Sequence, residues 1–256
     1  MQYPGWEQPA PSSERTRPLR RRRRGTKWII ALVILLGLLV GADRVALVVA
    51  QDQLASRIQS SQHLSQKPDV SISGFPFLTQ VIARDFPHAT VDIHGLKANT
   101  LTITDLHADL HGVHVSSGFN SATVDTLDAT AELSYADIGK ALSSELNVSG
   151  VQVGTVQVTK AGAHSVKATY QLLGVDISAT VNVTLSGANT LEFRSASFNT
   201  PLSDLGVGPK DFDVKYNLGA LPFGINLTGL TFTDNDVQIV AHGTHVDLSE
   251  AATSGH

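Results

Sequence analysis

Hydrophobic positions along this chain change spacing twice. They are continuous from Trp28 to Ala42, recur at helical spacing from Asp43 to about Gln62, and then alternate with polar residues every second position. The continuous block, Trp28-Ile-Ile-Ala-Leu-Val-Ile-Leu-Leu-Gly-Leu-Leu-Val-Gly-Ala42, predicts a helix of about 22 Å, short for a hydrocarbon core of about 30 Å. Carried across Asp43-Arg44 and through Val45-Ala-Leu-Val-Val-Ala50, it reaches about 35 Å. The next segment has neither Gly nor Pro as far as Gln62, and Val45, Val48, Val49, Ala55 and Ile58 recur at helical spacing. That pattern predicts a helix at about 43–62 with an apolar stripe available to cover a sheet. Pro68 marks its end region.

The remainder reads as strands. Val175, Ile177, Ala179, Val181, Val183 and Leu185 alternate with Asp176, Ser178, Thr180, Asn182 and Thr184. This predicts one long strand with a wet face and an apolar face, its hairpin partner being Val166, Ala168, Tyr170 and Leu172. Similar runs are Leu127/Ala129/Ala131/Leu133 and Phe212/Val214/Tyr216/Leu218, with shorter ones at 89–96, 151–159, 191–198, 225–232 and 237–248. The alternation slips by one residue between Ile103 and Leu106 and again between Val153 and Val156, as a β-bulge would make it. Two short helices are expected at about 76–84 and 135–145. The fold class is therefore mainly β (α+β): a long, strongly curved antiparallel sheet with one apolar concave face, following an N-terminal transmembrane helix.

Charge places that helix. Eight of the 19 Lys and Arg residues precede Trp28, five of them in the run Arg20–Arg24, whereas only Glu7 and Glu14 of the 23 acidic residues do. Cations beside an apolar block stay on the cytoplasmic side, so the chain from about residue 43 is expected outside the cytoplasm. The expected organisation is a disordered basic cytoplasmic tail (1–27), an anchor or signal segment (28–42, or to 50), an exported domain (43–249) and a disordered tail (250–256). Val40-Gly41-Ala42 resembles a small-residue cleavage site, so anchor and cleaved leader both remain open, the second giving a secreted domain cut near Ala42. The exported part carries 11 basic and 21 acidic residues, which argues against nucleic acid as a partner. With no cysteine, disulfides and thiolate metal sites are excluded and the domain must be stabilised by its own core.

Catalytic patterns are scarce. There is no Gly-x-Ser-x-Gly elbow, no phosphate-cradling loop and no His-Glu-x-x-His. His107, Asp109 and His111 would share one face of a strand, a plausible metal set. Leu106, Ala108 and Leu110 occupy the other face, which makes the polar side a solvated one. Asp234 and Asp236 fall in a hairpin turn, Thr233-Asp-Asn-Asp236, where turn chemistry accounts for them. Neither a catalytic residue, a metal nor a cofactor is expected. Two aromatic segments break the pattern: Gly74-Phe-Pro-Phe-Leu-Thr-Gln-Val-Ile82 and Leu221-Pro-Phe-Gly-Ile225. They read either as corners filling the core ends or as the lining of an apolar groove made by Phe75, Phe77, Leu78, Val81, Ile82, Leu221, Phe223 and Ile225.

With the helix start at Ser134-Tyr-Ala-Asp-Ile138, these segments give the chain from about 43 to 249 a resemblance to the LmeA-like phospholipid-binding family of actinobacterial envelope proteins. The resemblance implies a long curved sheet partly wrapped around a helix, similar to tubular lipid-binding domains. It also implies a non-enzymatic, membrane-associated binder of phospholipid or another acyl-chain lipid, linked in relatives to maturation of mannosylated envelope glycolipids. It carries no catalytic residue set and names no protein partner. The alternatives are a structural ectodomain with a filled core, and a hydrolase or transferase using the His107/Asp109/His111 face.

Overall fold

The computed structural model describes residues 24–98, 101–119, 121–145, 147–148, 151–152, 155–172, 175–198, 214–217 and 225–248. Phe212, Leu218, Leu221 and Phe223, the Leu173-Gly174 turn and the terminal tails lie outside them. The chain divides into two units, Met1–Gly41 and Ala42–His256. The first contributes the opening part of helix α1 (Arg24–Ser61), whose side chains from Trp28 to Val40 are exposed and which is long and apolar enough to cross a membrane.

The second unit is built mostly of antiparallel strands. In chain order after α1 come β1 (Asp69–Ile72), α2 (Phe77–Ala83), β2 (Asp85–Ala98), β3 (Leu101–Val115), β4 (Ala122–Ser134) and α3 (Tyr135–Glu145). The short strands β5 (Asn147–Val148) and β6 (Val151–Gln152) pair with each other. Then follow β7 (Gln157–Gly162), β8 (Ser165–Leu172), β9 (Val175–Leu185), β10 (Thr190–Phe198) and β11 (Val214–Asn217), and finally β12 (Asn226–Phe232) and β13 (Asp236–Asp247). The expected mainly β, antiparallel architecture is present, and it is divided between two open sheets. One has six strands in the order β1-β2-β3-β4-β13-β12; the other is the five-stranded meander β11-β10-β9-β8-β7. The expected hairpin pairs as the alternation requires, with Val166 opposite Val181, Ala168 opposite Ala179 and Tyr170 opposite Ile177.

α3 ties the sheets together. Tyr135, Val156, Val158, Val183, Phe232 and Val237 form one buried cluster drawn from α3 and both sheets, with Ile138 and Phe193 packed on it. The Tyr135 hydroxyl donates to the Thr233 carbonyl at 2.8 Å, in the β12–β13 turn. A second cluster, Leu110, Val124, Leu127 and Val246, lies at the other end of the six-stranded sheet.

Two expectations are corrected. No bulge separates Ile103 from Leu106: β3 keeps one register against β2 and β4 throughout. The slip is a matched change of side-chain type, because Leu96 sits directly opposite Ile103, beyond Gly95 at φ +66. Register shifts occur at Lys160/Gly162, Ser195/Ser197 and Leu227/Gly229; the second expected slip, across Gly154, lies outside the described residues. The stripe assigned to α1 is also partly wrong. Ala55 is buried and Ile58 half-buried, but Val45, Val48 and Val49 are exposed. The packed side instead runs through Asp43, Leu47, Gln51, Ala55 and Ile58, because Asp43 is held by a hydrogen bond to α2 and fixes the rotation of the helix.

Candidate functional site

Directly paired residues of antiparallel strands share a face. One row across the six-stranded sheet is therefore Val91, Ala108, Ala129, Ala241 and Leu227, and the next is Ile93, Leu106, Ala131, Ile239 and Leu230. Nine of these ten side chains are only half-buried, Ala241 being the exception. The two rows run from one buried cluster to the other, Val91 and Ala108 packing on the second and Leu230 and Ile239 on the first, and form an apolar floor. At about 4.8 Å between strands, it is about 19 Å across its five strands. Alanines at the centre keep it low. The floor offers hydrocarbon contact and no reactive group.

α2 stands at the end of the sheet marked by the second cluster. Phe77 is buried at 4% exposure and its ring lies 6.1 Å from that of Phe86, which pairs with Val113 beside that cluster. Each residue of the segment before it has a local reason. Gly74 has φ +106, and a Cβ there would come within 2.3 Å of Gln80 Nε2. The Phe75–Pro76 bond is cis. Thr79 Oγ1 donates to the Pro76 carbonyl at 2.7 Å, and Leu78 N donates to Asp43 Oδ1 at 2.8 Å. Arg44 is paired to Asp43 at 2.7 Å and lies 5.0 Å from the centre of the Phe75 ring. A carboxylate at the end of the apolar block thus satisfies a backbone donor at the start of α2.

A family model described as LmeA-like phospholipid-binding matches residues 41–242. The chain belongs to that family. No curated protein and no solved structure matches it. For this LmeA-like chain, the Gly-Phe-Pro-Phe-Leu-Thr-Gln string reads as a docking device: Gly74 and Gln80 interlock, Phe77 plugs the sheet end, and Leu78 N is held by Asp43.

The residues singled out from sequence divide into three groups. Phe77 and Ile225 come to the same end of the six-stranded sheet, Ile225 packing on the second cluster. Val81 is half-buried, while Phe75, Leu78 and Ile82 are exposed, at 62%, 37% and 81%. Leu221 and Phe223 lie outside the described residues. The sequence pattern put Ala108, Ala129 and Ala131 on the apolar faces of strands without marking them as part of a groove, their only signal being Ala at core-facing positions usually given to larger residues. Nor did it mark Asp43, an acid set immediately after fifteen apolar residues.

The opposite face carries a ladder of imidazoles and carboxylates. His107 Nδ1 is 2.5 Å from Asp92 and its Nε2 3.0 Å from Asp109; His88 Nε2 is 3.1 Å from the other Asp109 oxygen, and the His88 and His111 rings stack at 4.6 Å. His94 bonds Asp105, and His242 lies 2.7 Å from Asp128. The Asp92 hydrogen bond raises the His107 pKa above its ordinary value, against a lowering by burial, with Asp109 adding to the rise. Asp109 is lowered, first by the His88 hydrogen bond, against burial, and then by His107. Among the described residues no group of three His, Cys, Asp or Glu side chains is placed to hold a metal ion. The ladder is a partly exposed network of cross-strand pairs, each side chain spent on its neighbour.

Proposed function

We propose that this is a non-enzymatic, membrane-anchored envelope protein that holds phospholipid or another acyl-chain lipid on the apolar floor of its six-stranded sheet, in support of lipid transfer or envelope glycolipid maturation. The half-buried rows from Val91 to Leu227 and from Ile93 to Leu230 carry this reading, in a chain of a phospholipid-binding family. Each methylene covered there is worth about 0.8 kcal/mol, so a chain of about 16 carbons gains on the order of 10 kcal/mol before the costs of association and ordering. Phe77, Val81 and Ile225 would close one end of the floor, and the Tyr135 cluster would close the other. The anchor supplies lipid locally.

The test is a phospholipid with a photoreactive acyl chain, added to the detergent-solubilised full chain and mapped by mass spectrometry. Adducts are expected on β3, β4 and β13 as well as on the apolar helix. Ala129→Phe with Ala131→Phe, at two half-buried positions outside both core clusters, should remove the strand adducts and leave the circular dichroism spectrum unchanged. Adducts confined to residues 28–50 in the unsubstituted chain would refute the floor as a lipid site and favour a structural ectodomain.

A further inference from the structure

Exposed large hydrophobic side chains of the second unit are not scattered. Among the described residues they occur on α1 from Val45 to Leu54, around α2, and at Phe119. The strands contribute none of them. These places are brought together by hydrogen bonds. Asp43 accepts from Leu78 N, and Asp43 follows directly on the fifteen-residue apolar run. Val115 N donates to the carbonyl of Arg84, two residues beyond Ile82, at 2.9 Å. The turn after Val115, closed by Ser116 N to the Ser121 carbonyl, carries Phe119 at 55% exposure. Phe119 has φ +55, a conformation that turn positions usually give to Gly, Asn or Asp. Turn chemistry therefore does not call for an aromatic there. Ile82, at 81% exposed on a seven-residue helix, contributes equally little to the core.

We infer that α2 and the β3–β4 turn form a second membrane contact, in which Phe75, Leu78, Ile82 and Phe119 enter the headgroup–acyl boundary of the bilayer that α1 enters. The occupant of this patch is a lipid surface. Chain continuity argues for it, because Leu78 N is bonded to the residue next to the apolar run, and Val45, Val48 and Val49 extend the exposed apolar surface of α1 past Ala42. Arg84, exposed and beside the patch, suits a headgroup phosphate while the side chains around it go deeper, and Arg44, paired with Asp43, lies against the Phe75 ring. The inference rests on α1 being an anchor. It differs from the lipid floor, which runs across the sheet from one core cluster to the other.

The chain has no cysteine, so single-cysteine variants give unique labels. Ile82→Cys, Phe119→Cys and, in the turn at the opposite end of the sheet, Asn235→Cys would be nitroxide-labelled in the full chain reconstituted into phosphatidylcholine vesicles. Collision with oxygen and with a water-soluble nickel chelate then reports the surroundings. Labels at 82 and 119 should be relaxed by oxygen and shielded from nickel severalfold more than the label at 235. Nickel access at 82 and 119 equal to that at 235 overturns the inference, and so does shielding from both agents, which would mean cover by protein or by a held lipid. Failure of the anchor shows separately: the chain would wash off the vesicles in alkaline carbonate, and the inference would fall with it.

Discussion

At the scale of single residues, the segment around Gly74 and the His–Asp ladder make opposite demands. Gly74 has no spare room: φ +106 disfavours any L side chain, and a Cβ would meet the Gln80 amide. Gly74→Ala should cost about 1–3 kcal/mol in urea unfolding, and adding Gln80→Ala should recover only the part due to the clash, leaving the backbone strain. Asp43→Ala removes the acceptor of the Leu78 N–H, and the loosening should appear as faster hydrogen exchange confined to α2. The ladder is tunable instead of tight. His107 is raised above 6.5, so its contribution is complete below that value and is lost as pH rises through the raised one. Asp109 is lowered below 3.8, so its contribution is present above that value and is lost as pH falls through the lowered one. Both act together only between those limits. These groups are roughly half-exposed, which keeps each pair below about 1 kcal/mol. Between about pH 6 and about pH 8.5 the melting temperature of the native chain should therefore fall about 1–3 °C further than that of His107→Gln. Equal slopes would show the ladder to be without weight in stability.

At the scale of elements, α3 is set by a reciprocal cap. Ser134 Oγ accepts from Asp137 N at 3.1 Å and donates to the Asp137 carboxylate at 2.7 Å, which lowers the Asp137 pKa first, with Lys140 adding to the effect. Ser134→Ala should cost about 1 kcal/mol, and Tyr135→Phe about the same through the lost bond to the Thr233 carbonyl, both read as shifts in denaturation midpoint at unchanged slope. α2, α3, the long β8–β9 hairpin and the Thr233–Asp236 turn were legible in the sequence because each is specified locally, by a cap, a proline or an alternation matched across a short loop. The division into two sheets was not. Which strand joins which sheet depends on pairings such as β4 with β13, over a hundred residues apart, where local pattern is silent. The break in alternation at Ile103 misled for a related reason: two strands changed side-chain type together, and one strand read alone cannot show its partner. Of the site, the aromatic segments stood out by composition, whereas the floor depends on which alanines of three separate strands fall in one row.

At the scale of the molecule, the difference between anchor and leader turns on Ala42 and Asp43. Ala42 and Asp43 lie inside α1, which runs from Arg24 to Ser61, and Asp43 is engaged with Leu78 N. Cutting after Ala42 would place a new ammonium group on Asp43 itself and fray the turn that holds α2. The exposed Val45, Val48 and Val49 extend the apolar surface toward Ala50, where the span reaches about 35 Å, enough for a hydrocarbon core that the run ending at Ala42 falls short of. On the anchor reading, chain recovered from membranes should have the full 27.2 kDa mass and stay in the pellet after alkaline carbonate. Val45→Ser, Val48→Ser and Val49→Ser together should weaken that retention without changing the mass, since the span is shortened and the folded unit keeps its packed helix face. A mature species beginning at Asp43 would instead make residues 28–42 a discarded leader, and the lipid floor would then have to collect its ligand without a tether.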